Sequence, residues 1–262
     1  MNTVRVKDAE LTEYLRLRGV ITIDELADHY GVSQVTARRY VGRLESAGLA
    51  IRVPGGAMDS SMASGANVGQ SVRQGLESNR AEKERIARHA VSLVEDGETI
   101  FIDNGSSCYY LARALPERKN LTVVTHAMDI AMTVKSKRGA RVICPGGELD
   151  EMLNSFTGPF AERHLESFFA DRAFLGAGSV ECGKGTLETA LVETEIKRIL
   201  NRNSQFSYVL ADSSKFTNQA NFASIPADSM NTVITTEAAP TDKLRCLRER
   251  GVEVLIASST PG

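Results

Sequence analysis

A chain of 262 residues, 42% hydrophobic and 24% charged, is long enough for two folded domains. It has no apolar run near the roughly 18–20 residues that a membrane span needs, and its net charge of −2 argues against polyanion binding by bulk charge. The stretch Met1 to Asp8 lacks the apolar core of a signal peptide, so the cytoplasm is the expected compartment and no membrane partner is expected.

From Lys7 to Arg18, Leu11, Tyr14, Leu15 and Arg18 fall at i, i+3, i+4 and i+7, which predicts a first helix. Thr22-Ile23-Asp24-Glu25 fits a capping box that starts a second helix, with Ile23, Leu26, Ala27 and Tyr30 turned inward and Gly31 as its stop. Ser33 can cap a third helix running to Ala47, with Gly48 just beyond it. Two helices joined by so short a glycine-containing turn make a helix-turn-helix. Ala37, Val41 and Leu44 would face inward in the third helix, leaving Gln34, Thr36, Arg38, Arg39 and Arg43 outward. Such a helix can set its first residues against base edges and its arginines against phosphates. Leu49 to Val53 then reads as a strand entering a Pro54-Gly55-Gly56 turn, a wing from which Arg52 would reach a phosphate. Charge distribution agrees: residues 1–57 carry net +1 and residues 58–262 net −3, and within 32–57 four arginines face only Glu45.

The run Val32-Ser33-Gln34-Val35-Thr36-Ala37-Arg38-Arg39, followed by Leu44 to Leu49, Arg52 and Gly55-Gly56-Ala57, resembles the DeoR family of sugar-metabolism regulators. The family pattern has Ile-Arg-Arg-Asp-Leu in the helix and Arg-x-His-Gly-Gly-Ala in the wing; here Ala37, Tyr40, Val41 and Pro54 depart from it. Tyr40 in place of the acidic residue supplies a phenol beside the DNA, and is counted among the expected DNA contacts.

Met58 to Asn79 is rich in Ser, Gly, Ala and Gln and reads as a connector between a domain of residues 1–57 and one of residues 80–262. Helix and strand patterns then alternate: a helix from Arg80 to Glu95, strand Thr99–Ile102, helix Cys108–Leu115, strand Leu121–Thr125, helix Ala127–Lys135, strand Arg141–Cys144. Strand Arg172–Leu175, helix Thr189–Asn203, strands Tyr208–Ala211 and Thr232–Thr236, helix Thr241–Arg250 and strand Val252–Ala257 follow. The alternation predicts a mainly parallel α/β sheet, and ligands of such sheets bind beyond the carboxyl ends of the strands. There the chain places Asp103-Asn104-Gly105-Ser106-Ser107, Thr125-His126, Pro145-Gly146-Gly147, Gly176-Ala177-Gly178 and Asp212-Ser213-Ser214-Lys215.

The first of these loops can surround an anion with amides and hydroxyls at a helix start. Lys215 can offer a charge to phosphate, and Asp103 or Asp212 can accept hydrogen bonds from sugar hydroxyls. These loops are similar to the family's Asp-x-Gly-Thr-Thr, Thr-Asn, Gly-Gly and Asp-x-Ser-Lys-Phe segments. The resemblance implies the fold of ribose-5-phosphate isomerase and a phosphorylated sugar as effector. The expected effector site is therefore Asp103, Asn104, Gly105, Ser106, Ser107, Thr125, His126, Gly147, Gly178, Asp212 and Lys215.

The four cysteines, Cys108, Cys144, Cys182 and Cys246, lie far apart without metal-ligand spacing; reduced thiols are expected, with no metal and no cofactor. The rival reading is a sugar-phosphate isomerase or deaminase with a DNA-binding appendage, using Asp103, Asp212, Glu188 or His126 as acid or base. The favoured reading is a DNA-binding regulator, a homodimer or homotetramer on double-stranded operator DNA, because one helix-turn-helix reads only a short half-site.

Overall fold

A computed structural model describes residues 8–18, 20–47, 49–53, 55–59, 75–76, 78–116, 120–136 and 139–258. The chain divides into two compact units, Met1–Asn67 and Val68–Gly262.

In the first unit α1 (Asp8–Arg18), α2 (Ile23–Tyr30) and α3 (Gln34–Ser46) pack around Leu11, Leu15, Leu26, Ala37, Val41 and Leu44, all buried. The Thr22–Glu25 capping box forms in both directions, and Gly31 ends α2 at φ 60°, in the left-handed region that glycine adopts without a Cβ penalty. Ser33 caps α3 through the Thr36 amide at 3.3 Å. The wing is larger than one strand and a turn. β1 (Val20–Thr22), β2 (Ala50–Val53) and β3 (Gly56–Asp59) form an antiparallel sheet in the order β1-β3-β2. β1 has only three residues, too few for an alternation to show, and β3 takes Met58 and Asp59 out of the expected connector. Gly56 pairs with Thr22, where an added Cβ would stand 2.0 Å from the Ile21 carbonyl oxygen. The expected helix stop Gly48, the wing residue Pro54 and the first helical residue Lys7 lie outside the described residues.

The second unit opens with α4 (Arg80–Ser92) and continues β4 (Thr99–Ile102), α5 (Ser106–Ala114), β5 (Leu121–Val124), α6 (Met128–Lys135) and β6 (Ala140–Ile143). The hairpin β7 (Glu148–Asp150) and β8 (Ser155–Thr157), α7 (Gly158–Glu166) and β9 (Ala170–Leu175) follow. Then come β10 (Ser179–Glu181), β11 (Gly185–Glu188), α8 (Val192–Arg202), β12 (Ser204–Leu210), β13 (Phe222–Ala223), β14 (Thr232–Thr235), α9 (Thr241–Glu249) and β15 (Glu253–Ile256). Seven strands form one sheet in the order β15-β14-β12-β9-β4-β5-β6, every neighbouring pair parallel. Both faces are covered, as such sheets require. Ile100 and Ile102 point into a core with Ile86, Leu111 and Val123, while Phe101 between them joins Leu175, Ile196 and Val233 on the other face.

The expected alternation of helices and strands is present, with two additions. The hairpin β7–β8 and the small antiparallel sheet β10-β11-β13 are built from strands of two to four residues, too short to carry a pattern. The cysteine expectation needs correction: Cys182 and Cys246 form a disulfide with their Cα atoms 5.9 Å apart. They are 64 residues apart in sequence and meet because the β10–β11 turn carries Cys182 to α9, which no spacing rule shows. Cys108 is a buried free thiol, raised well above its ordinary pKa by burial, and so behaves as a small hydrophobe.

The strand order places the site. Chain progression runs one way from β4 to β5 and β6, and the other way from β9 to β12, β14 and β15. The sheet therefore has a topological switch point between β4 and β9, where the loops leaving two adjacent strands diverge and open a crevice.

Candidate nucleic-acid interface and effector cleft

The α3 helix sorts its residues by burial. Ala37, Tyr40, Val41 and Leu44 are buried, whereas Gln34, Arg38 and Arg39 are exposed. Tyr40 is thus a correction: at 1% exposure it lies in the core, because positions 37, 40, 41 and 44 form one stripe of the helix. The Arg43 guanidinium stands 4.9 Å above its ring, so Tyr40 supports an arginine from beneath and offers no phenol to DNA. Arg39, Gly42, Arg43 and Ser46 border a shallow concavity on the same helix. Arg52 is exposed, with its Nε donating to Glu45 at 3.1 Å. An exposed pair of this kind contributes about 0–1 kcal/mol, so a phosphate can replace Glu45 at little cost. At the start of α3, Gln34 donates to Asp24 at 2.5 Å and the Thr36 hydroxyl lies 3.1 Å from that of Ser33. Val35 between them, which the helical pattern alone does not single out, is 75% exposed, a large apolar side chain on the outward face of the helix.

At the switch point a cleft of about 380 Å³ opens between the loop after β4 and the loop after β9. Asn104, Gly105, Ser106 and Ser107 line one side, Gly176 to Gly178 another, and Lys215 a third. Gly105 at φ 99° turns the chain so that α5 begins at Ser106, and the start of this helix borders the cleft. Lys215 sits in a 3-10 turn, Ser213–Phe216, capped by Asp212. Burial lowers the Lys215 pKa, with Asp212 opposing the shift and Lys83 adding to it.

Beneath the cleft lies a buried ionic cluster. Asp103 is fully buried and accepts from Lys197 Nζ and from the Gly176 amide at 2.9 Å. Lys197 also donates to the Gly176 carbonyl at 3.2 Å and lies 3.7 Å from Glu188. Burial alone would lower the Lys197 pKa, but Asp103, Glu188 and Glu193 reverse the shift and hold it charged. Glu188 accepts from Ser224 at 2.7 Å and from the Gly178 amide at 3.1 Å, and burial pushes its carboxyl up to about 7. Asn104 donates to Glu193 at 2.9 Å.

Of the expected effector residues, Asn104, Gly105, Ser106, Ser107, Gly178 and Lys215 line this cleft. Asp103 and Asp212 do not: both are fully buried, with Lys197 and Lys83 respectively as counter-ions, so neither is offered to a sugar hydroxyl. Thr125 is also fully buried, its hydroxyl accepting from the Ala127 amide at 3.2 Å. His126 is buried beside Asp103 at 3.7 Å, and burial lowers its pKa to about 4, keeping it neutral. Gly147 serves packing, since a Cβ there would meet the Thr157 carbonyl oxygen at 2.8 Å and Ala161 at 3.0 Å. Lys197 and Glu193 are not among the residues expected from the sequence, although a signal for the lysine exists. Lys197 sits among Ile196, Ile199 and Leu200 on the buried stripe of α8, where a lysine is tolerated only with a partner.

A winged helix-turn-helix with an arginine-bearing outward helix, followed by a parallel sheet that opens a polar cleft at its switch point, defines a DNA-binding transcriptional regulator with a separate ligand-sized cavity. Comparison with known proteins agrees. Residues 7–61 match the DeoR-like helix-turn-helix domain and residues 78–237 the DeoR C terminal sensor domain; the chain belongs to the DeoR family. It is 30% identical to a putative aga operon transcriptional repressor of Escherichia coli O157:H7, over 94% of this chain and 91% of that one. It is 32% identical to the glycerol-3-phosphate regulon repressor of Escherichia coli K12, over 88% and 89%. Among solved structures, ribose 5-phosphate isomerase A of Methanocaldococcus jannaschii aligns with a TM-score of 0.40 at 23% identity, over 53% of this chain and 55% of that one. Among the described residues no helix is long and apolar enough to cross a membrane, and no three or more His, Cys, Asp or Glu side chains come together as a metal site.

Proposed function

We propose that this protein is a cytoplasmic repressor of a carbohydrate-utilisation operon, and that a phosphorylated sugar bound in the switch-point cleft changes its affinity for operator DNA. The observation that carries the reading is the meeting of Gly105, Ser106, Ser107 and Lys215 in one cleft. Two hydroxyls, the amides of a helix start and one lysine match a phosphate. Glu188, Glu193 and Asn104 also line the cleft, and their carboxylates and amide suit the hydroxyls of a sugar. Gln34, Thr36, Arg38, Arg39, Arg43 and Arg52 form the operator-binding face, on at least a homodimer. The relatives named as repressors of an aga operon and a glycerol-3-phosphate regulon support the same kind of regulation.

A thermal-shift screen of pentose and hexose phosphates, with the free sugars as controls, tests the effector class. A true effector at 100 times its dissociation constant adds roughly 2.7 kcal/mol of stability, and the free sugar should add far less. Stabilisation by none of the phosphates would defeat the reading. One observation favours the rival isomerase or deaminase: a carboxyl near pKa 7 beside a buried lysine is suited to proton transfer. Product formation from the same sugar phosphates would establish that activity; the regulator reading expects none.

A further inference from the structure

The residues that lead into α4 from the side of the DNA-binding unit are attached to both walls of the cleft. On the first wall, Gly75 lies so close to Ser106 that a Cβ would stand 2.6 Å from its Oγ and 2.9 Å from its Cβ. Gly75 itself lines the cleft. The next residue, Leu76, accepts from the Tyr110 hydroxyl at 2.9 Å and packs on Tyr109, both on α5, whose first turn presents Ser106 and Ser107.

On the second wall, the Asp212–Phe216 turn that presents Lys215 is held by the beginning of α4. Asn79, in the left-handed conformation at φ 50°, donates to Asp212 at 2.7 Å. Lys83, 2% exposed, forms an ion pair with Asp212 at 2.9 Å and donates to the Ser78 carbonyl. Glu82 accepts from the Ser213 amide at 3.0 Å and the Ser213 hydroxyl at 2.7 Å, and Thr236 donates to the same carboxylate. A buried lysine paired with a fully buried aspartate holds its partner firmly, because separating them would leave an uncompensated charge in the interior.

We propose that Gly75 is a wall of the effector site, and that Asn79, Glu82 and Lys83 are positioning residues that couple occupancy of the cleft to the segment entering the DNA-binding unit. A phosphate against Ser106 contacts the chain at Gly75, and one drawn to Lys215 pulls on a turn clamped to the first turn of α4. An effector alters operator affinity only through contacts that differ between two states, and the two walls make theirs with residues 75–76 and 78–83. The proposal rests on the cleft being the effector site, and its test has one arm that needs no effector.

In that arm, full-length Gly75→Leu is compared with wild type on the operator duplex recovered by in vitro selection with the wild type. The added side chain cannot remain against Ser106, so the ligand-free variant, assayed well below its own melting temperature, should bind this duplex with an affinity at least tenfold different. Equal affinity would overturn the coupling. In the second arm, Glu82→Ala and Asn79→Ala are titrated with the sugar phosphate that most stabilises the wild type, each at saturation by its own dissociation constant. The ratio of operator affinities with and without that compound should collapse toward one, and Glu82→Gln should recover part of it. A residue that only stabilises the fold would lower the melting temperature and leave the ratio as in the wild type, which also overturns the proposal. If no sugar phosphate binds the wild type, the effector reading fails, while the Gly75→Leu arm still decides the coupling.

Discussion

At the scale of single residues, the proposed DNA surface is built from side chains whose backbone positions are fixed by a buried stripe. Ala37, Tyr40, Val41 and Leu44 lock α3 in rotation, so Arg39 and Arg43 cannot turn away from the concavity that they border. Joint replacement, Arg39→Ala with Arg43→Ala, should weaken binding on all sequences, and each lost phosphate contact should reduce the salt slope by about one. Operator affinity measured between low and moderate salt checks this; unchanged affinity would remove α3 from the interface. In the cleft, Lys215→Ala should weaken sugar-phosphate binding roughly ten- to a hundredfold, the worth of about 1.5–3 kcal/mol for a charge-assisted contact. Ligand-free operator binding should persist, because Asp212, which holds the turn, keeps its ion pair with Lys83.

Glu188 gives a prediction in pH. Its carboxyl is raised to about 7 in the folded state, above the ordinary range, so the native protein holds a proton that the unfolded chain has released. The stability from that proton is fully present below the unfolded pKa and is lost as pH rises through about 7. The melting temperature of Glu188→Gln should therefore decline less than that of the wild type between pH 5 and pH 8. The paired comparison separates Glu188 from His126, whose pKa lowered to about 4 makes stability rise with pH between roughly 4 and 6.5. Parallel curves for the two proteins would refute the assignment.

At the scale of elements, caps and close approaches decide where helices and strands begin. The capping box at Thr22 sits where β1 passes directly into α2, and the same residue pairs with Gly56 of β3. One residue thus ends a strand, starts a helix and meets the wing, which leaves no room opposite it. Gly56→Ala should destabilise the N-terminal unit by about 1–3 kcal/mol, since the new methyl group must displace the Ile21 carbonyl. Thermal unfolding followed on the N-terminal unit would show the loss, and a variant as stable as the wild type would contradict the registered three-stranded wing. The helix α5 shows the same economy at its start: Gly105 sets the turn and Ser106 begins the helix, so two serines of its first turn line one cleft.

At the scale of the whole molecule, one helix-turn-helix covers too few bases for an operator, so the proposed regulator needs two copies on half-sites spaced by helical turns. Light scattering at micromolar concentration should give a dimer or tetramer with and without operator DNA, and a monomer in both conditions would overturn this. The helix-turn-helix is legible in the amino-acid sequence because its signals are local: Thr22 to Glu25, Gly31 and Ser33 each act on a backbone group three or four residues away. The parallel sheet is legible for a related reason, since helix and strand periods alternate along the chain and both sheet faces need apolar strands. Six residues of the cleft, from Asn104 to Lys215, could be found because a parallel sheet puts its loops at one end. Which loops converge was decided only by strand order, which separates β4 and β9 by 67 residues of chain and then makes them neighbours. Tertiary structure also decided that Asp103 and Asp212 are internal counter-ions, that Tyr40 is core, and that Cys182 meets Cys246. The reason is the same in each case: charge pairing and burial depend on what the chain brings within a few ångströms. The partners of these residues lie 64 to 129 positions away, and the burial of Tyr40 depends on the packing of three helices and a wing.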